Sequence, residues 1–360
     1  MKKIIFLGDF FYDYDYVKED IKELSEFIKR NDYDVILNLE GTYKTDKPLV
    51  KWITLKQNRK VIEILKMLNV KAVNIANNHM LDWQENGLKR MIKDLENNSI
   101  PYFGAGLNLS DALKPLILEY EELKVGLLGF GWWLSECVPA KKKSAGVAPL
   151  KRKLVLKQVN DIKDKVDRIV VNLHWGYEYE KYPLPIHREF AHELIDSGVD
   201  LIIGHHPHVI QAKETYKNKG IYYSLGNFYF GSRRKRHMDI PIDKTNTARY
   251  GMGVVLNLEM NKTSELYFDS NYEFTTLIDN INVEDISDVP MDTYNQYFRD
   301  NKTSNKKKPY FYSKDIFKNN VKEIYYKMKV NVRSVYFYTL KQLGIYDSYR
   351  DYKDKKFMNK

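Results

Sequence analysis

Three histidines crowd one short stretch, His205, His206 and His208 in "LIIGHHPHV" (201–209), directly after an apolar run. Imidazoles are seldom gathered for packing alone, because each needs a hydrogen-bond partner and each titrates near neutral pH. Other polar residues stand in the same kind of place. Asp9 ends the run 2–9, Glu40 falls at the end of 34–41, Asn78-His79 end 71–79, and His174 lies near the end of 168–176. The run "KVGLLGFG" (124–131) ends without a ligand-type side chain, so strand ends do not carry such groups automatically. Carboxylate oxygens and imidazoles together suit Mn²⁺, Fe or Zn²⁺ rather than Ca²⁺ alone. His187 and His192 fall on a helical pattern and His237 in a basic loop, and these three read as structural or solvated. Arg233 and Arg234, in "SRRKRHMD" (232–239), have two readings: a solvated basic loop, or a clamp for a substrate anion.

The elements that must position these residues follow from periodicity. Short β-rich runs alternate with helical patterns over 17–30, 58–68, 86–98 and 187–198, and a seventh run covers 220–228. Near-continuous apolar strands between amphipathic helices predict an α/β fold whose sheet is covered on its faces. If the strands are parallel, the loops leaving their carboxyl ends gather at one edge and bring the polar residues together. From about residue 250 strands follow without helices, as in a second antiparallel sheet or the far edge of a mixed one. A polar, turn-rich stretch at 285–319 is expected as a linker after a main domain of 1–284. In 320–360 apolar residues at 321, 324, 325, 328, 332, 335, 336, 340 and 343, before Gly344, predict a helical extension.

Composition narrows the setting. A hydrophobic content of 43% in 360 residues supports a sizeable core. The single cysteine, Cys137, rules out an intramolecular disulfide and a sulfur-rich metal site. No apolar run reaches the length of a membrane span, and Ile4–Leu7 is too short for a signal-peptide core. A cytoplasmic location is expected. The net charge of +10 belongs to the tail: residues 301–360 carry 16 Lys+Arg against 5 Asp+Glu, while residues 1–300 carry 42 against 43. A near-neutral front with no recognised binding module argues against nucleic acid as a partner. The basic tail with its nine tyrosines points instead to an anionic membrane surface, met peripherally, or to a polyanionic polymer.

The stretches "FLGDF", "NLEGT", "VNIANNHMLD", "NLHWGYEYEKYP", "LIIGHHPHVIQ" and "YYSLGNFYF", in this order, resemble the bacterial capsule synthesis or poly-γ-glutamate biosynthesis family (CapA-like), a branch of the calcineurin-like metallophosphoesterases. The resemblance spans about residues 3–230. It implies a four-layer α/β/β/α sandwich with two divalent metal ions at one edge, and hydrolysis of a phosphorylated or polyanionic substrate. By position it implies Asp9 and His208 at one metal, Asn78, His174 and His206 at the other, and Glu40 between them. His79 matches the histidine that assists the leaving group, with Asp82 orienting it. Glu178 is implied in substrate contact or ligand orientation. His205 has no metal role by this match and is left to the loop or the substrate. Two positions depart from the wider superfamily: Phe11 stands where a histidine is usual, and Glu40 where an aspartate bridges. Members of the closer family commonly carry an amino-terminal membrane anchor, which is not expected here because the first motif begins almost at the first residue. Beside phosphoester hydrolysis, two further readings stand: amide hydrolysis on a γ-glutamyl polymer, and a metal-stabilised binding or assembly component without catalysis.

Overall fold

Successive side chains of a strand face opposite ways, so a strand that is apolar on both faces must be covered on both. The central strands here are of that kind. In the computed structural model, which describes residues 2–45, 48–49, 51, 53–231, 249–270, 275–279 and 281–301, they form two sheets. The first holds β1 (Lys3–Phe11), β2 (Tyr33–Leu39), β3 (Val70–Asn74), β4 (Tyr102–Phe103), β13 (Asn227–Phe230), β14 (Tyr250–Asn257), β15 (Lys262–Ser270) and β16 (Thr275–Ile278). Its order is β16-β15-β14-β1-β2-β3-β4, with β13 also paired to β1. The second holds β6 (Leu116–Tyr120), β7 (Leu123–Gly131), β9 (Arg168–His174), β10 (Leu201–His205), β11 (Lys213–Tyr216) and β12 (Lys219–Tyr222), in the order β11-β12-β10-β9-β7-β6. A small ribbon pairs β5 (Ala105–Gly106) with β8 (Gly146–Val147).

Three apolar layers match this arrangement. Ile4, Phe6, Ile36, Val125, Val170 and Ile203 meet between the sheets. Their strand neighbours Ile5, Leu37 and Val73 face outward onto α1 (Glu19–Arg30), α2 (Val61–Met67) and α3 (Gln84–Asn97). Leu128, Val171 and Ile202 face outward on the other side, onto α5 (Arg152–Ile162) and α6 (Pro185–Asp196). The short α4 (Leu109–Ala112) packs by the ribbon. The result is helix, sheet, sheet, helix, the four layers that the resemblance implies. The strands after residue 250 prove to be the antiparallel far edge of the first sheet. No helix among the described residues is long and apolar enough to cross a membrane.

Two expectations change. The run 220–228 is not one strand. β12 pairs with β10 in the second sheet, the chain turns at Gly226 (φ +68°), and β13 then pairs with β1 in the first. The crossing is tight: a Cβ on Gly8 would lie 2.1 Å from the Gly226 carbonyl oxygen, so only glycine fits there. The expected linker at 285–319 begins with packed structure. Ile286 and Tyr294 are buried, α7 (Met291–Asn301) starts inside it, and the Tyr294 hydroxyl donates to the Pro183 carbonyl at 2.7 Å. Polar composition masked two apolar anchors at helical and turn positions. Residues 320–360, the predicted extension, lie outside the described residues.

His187 and His192 are structural, as expected. His187 stacks on Trp175 with centroids 4.5 Å apart and meets Trp132 edge-on at 4.7 Å. His192 bonds Glu214, which also takes Arg188 and the Tyr223 hydroxyl. Burial pushes His187 from its ordinary 6.5 down to about 3. The unfolded chain therefore binds this proton first, so stability is intact above about pH 6.5 and declines as the pH falls toward 3. The decline is at most about 1.4 kcal/mol per pH unit. His187→Phe, which keeps the ring stack, should flatten that dependence when urea unfolding is compared at pH 7.5 and about pH 5. An unchanged slope would mean that the imidazole is not buried neutral.

Candidate metal centre

The inward positions of the parallel strands turn from apolar to polar at their carboxyl ends. On β2, Ile36 is followed two residues on by Asn38; on β3, Ala72 by Asn74; on β9, Val170 by Asn172 and His174; on β10, Ile203 by His205. Asp9 lies at a register irregularity of β1, where the β14 pairing has ended and β13 takes over. All of these side chains are buried. The gap between the sheets is thus sealed by hydrocarbon for most of its length and lined by polar groups at one end.

That end brings together residues from both sheets. Asp9, Glu40 and His208 each offer a ligand atom, and these atoms lie within 4.8 Å of one another. His208 Nδ1 is 3.3 Å from Asp9 Oδ2 and 2.9 Å from Asn227 Oδ1, and its Nε2 is 3.8 Å from Glu40 Oε1. Beside this group, His174 Nε2 lies 3.0 Å from Asn78 Oδ1. The His206 ring bridges the two groups, with centroids 4.8 Å from His174 and 5.9 Å from His208. His206 (φ +99°) and His208 (φ +58°) both take left-handed backbone conformations. Such conformations cost free energy in residues with a side chain and persist where the surroundings over-determine them, often at functional sites.

His79 faces the same space. Its Nδ1 is 2.6 Å from Asp82 Oδ2, leaving Nε2 3.6 Å from Glu40 Oε1. Asp82 also accepts from Leu55 N–H at 2.8 Å and from Lys51 Nζ at 2.9 Å. His205 is buried with Nδ1 3.4 Å from Asp9 Oδ1, so it backs the carboxylate and has no open path to solvent. Glu178 is exposed in the loop after β9, and its charge helps raise the pKa of both Glu40 and His208. Arg233 and Arg234 lie outside the described residues. Phe11 is buried against Leu55 and Phe230, an apolar wall on the Asp9 side that supplies no ligand.

Burial and charge divide the acids and bases. Burial and then the neighbouring Asp9 charge push Glu40 well above the usual carboxylate range. Burial would also raise Asp9, but contacts from His205 and His208 outweigh it and hold Asp9 well below its ordinary value. For His208 burial is outweighed by Glu40 and Asp9, which raise it to about 10. Burial, with His206 nearby, keeps His174 well below 6.5, in the neutral form that ligates metals. Both carboxylate oxygens of Glu40 and Nδ1 of His174 are buried without a hydrogen-bond partner among the described residues. Buried charge of this kind is costly unless paired or coordinated. Carboxylates and imidazoles converging on one polar gap make a donor set that fits a borderline divalent cation.

Several residues here were not singled out from the sequence. Asn38 Nδ2 donates to Asp9 Oδ1 at 2.8 Å, and its own Oδ1 accepts from Asn74 at 3.1 Å and Asn77 at 3.3 Å. This buried asparagine row crosses β1, β2 and β3 at matched register and turns Asp9 Oδ2 toward the histidines. The available signal was the in-phase placement of Asn38 and Asn74 with apolar inward positions. Lys51 and Asn227 had no such signal.

A model of the bacterial capsule synthesis protein family, PGA_cap, matches residues 2–232. The PGA biosynthesis protein CapA of Bacillus subtilis (strain 168) is 31% identical over 238 residues, 65% of this chain and 61% of that one. The capsule biosynthesis protein CapA of Bacillus anthracis is 34% identical over 240 residues, 63% of this chain and 57% of that one. A probable polyglutamine synthesis accessory protein of Mycobacterium tuberculosis (strain H37Rv) is 29% identical over 205 residues, covering 53% and 54%. The chain thus spans about three-fifths of the two CapA relatives. Among solved structures, a phosphatase from Mycoplasma pneumoniae aligns over 79% of this chain and 94% of its own at 16% identity and a TM-score of 0.45.

Proposed function

The chain belongs to the bacterial capsule synthesis protein family, and from that premise we propose that it is a metal-dependent, phosphoesterase-type hydrolase of surface-polymer synthesis. One observation carries this reading: in the buried Asp9–Glu40–His208 cluster neither Glu40 oxygen has a hydrogen-bond partner among the described residues, and an oriented histidine, His79, is within reach. In this reading Asp9 and His208 would hold one cation, Asn78, His174 and His206 the other, and Glu40 would serve both. Bound divalent metal supplies an activated water and neutralises phosphoryl charge. The chain's own groups supply the rest. Asp82 anchors Nδ1–H of His79 and favours its imidazolium, whose Nε2–H faces the gap and gives its proton to the departing oxygen, leaving the neutral Nδ1–H form. Asn38 and His205 hold Asp9 from behind, and the Phe11–Leu55–Phe230 wall limits water on one side.

Metal analysis of the purified protein, joined to a phosphoester screen under Mn²⁺, Zn²⁺ and Mg²⁺, tests this. Bound transition metal with metal-dependent turnover is expected. Stoichiometric metal without turnover on any ester or γ-glutamyl amide would favour a binding or assembly component. Phe11 favours that second reading, since an apolar wall replaces a ligand.

The same reading gives residues 301–360, with 16 Lys+Arg against 5 Asp+Glu, a role in attracting a polyanionic polymer or an anionic membrane face. Truncation after residue 300 should spare metal binding and small-ester turnover but abolish salt-sensitive cosedimentation with anionic vesicles or polymer. Intact protein that ignores both partners at low salt would overturn this role.

A further inference from the structure

Lys51 is a buried cation in a loop with no motif of its own. Its side chain is 3% exposed, and its ammonium donates to Asp82 Oδ1 at 2.9 Å and to the Asn78 carbonyl at 2.7 Å. One side chain therefore holds both the acid that orients His79 and the backbone of the residue before it. The surrounding loop is tied to the same acid. Leu55 N–H donates to Asp82 Oδ2 at 2.8 Å, Leu49 N–H to the Asp82 carbonyl at 2.6 Å, and Trp83 Nε1–H to the Leu55 carbonyl at 2.6 Å.

The division of the carboxylate is the informative detail. Oδ1 is taken by Lys51, and Oδ2 by Leu55 N–H and His79 Nδ1. A carboxylate anchored at both oxygens cannot rotate, so the hydrogen bond to His79 has one direction. With Nδ1 committed, Nε2 points toward Glu40 at 3.6 Å. Removing the ammonium leaves Oδ1 buried without its counter-charge, and the carboxylate is then free to turn toward other donors.

We propose that Lys51 is a positioning residue that acts through Asp82 to fix the orientation and tautomer of His79. This rests on His79 being the proton-transferring group of the proposed hydrolase, but its physical content is separable from catalysis. A lysine that merely fastens the loop would affect stability and leave the imidazole unchanged.

Lys51→Met and Lys51→Gln in the full-length, metal-loaded protein test the assignment by nitrogen-15 NMR of the histidine rings. In wild type the His79 Nδ1–H should appear as a protected, downfield proton, with ring-nitrogen shifts of the Nδ1–H form. Both variants should lose that proton's protection and shift toward mixed tautomers, with metal content unchanged. Turnover of p-nitrophenyl phosphate should fall by about 10- to 100-fold in kcat with little change in KM. Unaltered His79 ring shifts in either folded variant would overturn the assignment. Should Lys51→Met not fold, Lys51→Gln, which keeps a hydrogen-bond donor, carries the test. Should neither fold, Asp82 as wild type with Leu49→Pro, which removes a loop anchor and keeps the ammonium, must retain the His79 signature; its loss there would also overturn the assignment. A wild type without turnover would sink the hydrolase reading, while the ring signals still decide on Lys51.

Discussion

Replacing His79 with alanine is expected to cut phosphoester turnover by about 10²- to 10⁴-fold, the usual contribution of a positioned proton donor, while bound metal stays near the wild-type level. The expectation follows from direction. His79 commits Nδ1 to Asp82 and presents Nε2 at 3.6 Å from Glu40, so it faces the gap without belonging to the Asp9–Glu40–His208 group. His206→Ala is the contrasting variant. The His206 ring sits between those of His174 and His208, and its removal should lower metal occupancy, with activity falling in proportion. Metal analysis alongside kcat separates the two. If His79→Ala loses metal as His206→Ala does, the assignment of separate roles fails.

Glu40→Gln should change the sign of its effect with metal. In protein stripped by a chelator, the variant is expected to be the more stable, because a neutral amide removes the cost of a buried carboxylate charge beside Asp9. Among the described residues neither Glu40 oxygen has a hydrogen-bond partner, the Asp9 carboxylate is nearby, and the His208 ring at 3.8 Å relieves this only in part. With Mn²⁺ or Zn²⁺ added, wild type gains more from binding, because a neutral amide is a poorer ligand than a carboxylate. Thermal unfolding with chelator and with metal reads both signs. A variant less stable under both conditions would mean that Glu40 is satisfied without a cation.

Much of this was legible in the residues. The alternation of apolar runs and helical patterns marked an α/β core, because buried parallel strands must be apolar on both faces. It read as one sheet covered by helices, and the second sheet came only with the resemblance. Asp9, Glu40, His79, His174 and the histidines of 205–208 were visible because each interrupts such a run at its end. What was hidden depended on tertiary contact. "GIYYSLGNF" reads as one strand, since local pattern does not say which sheet a strand joins; the left-handed turn at Gly226 decides that. Asn38 and Asn74 read as ordinary polar interruptions until the register sets them side by side. Lys51 lies about 30 residues before Asp82 in an aperiodic loop, where a buried ion pair leaves no spacing to find. Ile286 and Tyr294 were lost in a polar context that suggested a linker.

The chain turn that carries β12 of one sheet into β13 of the other also has a meaning in time. The cluster is assembled from two stretches of the polypeptide, residues 9–79 at the end of the first sheet and 174–208 at the end of the second, and the chain returns from the second sheet to the first at residues 222–227. During synthesis from the amino terminus, the carboxylate half leaves the ribosome nearly a hundred residues before the first histidine of the other half. A nascent chain therefore carries Asp9 and Glu40 before His174, His206 and His208 have been made. If the cluster holds a cation as proposed, capture would have to wait until the two stretches have met, at a late stage of folding.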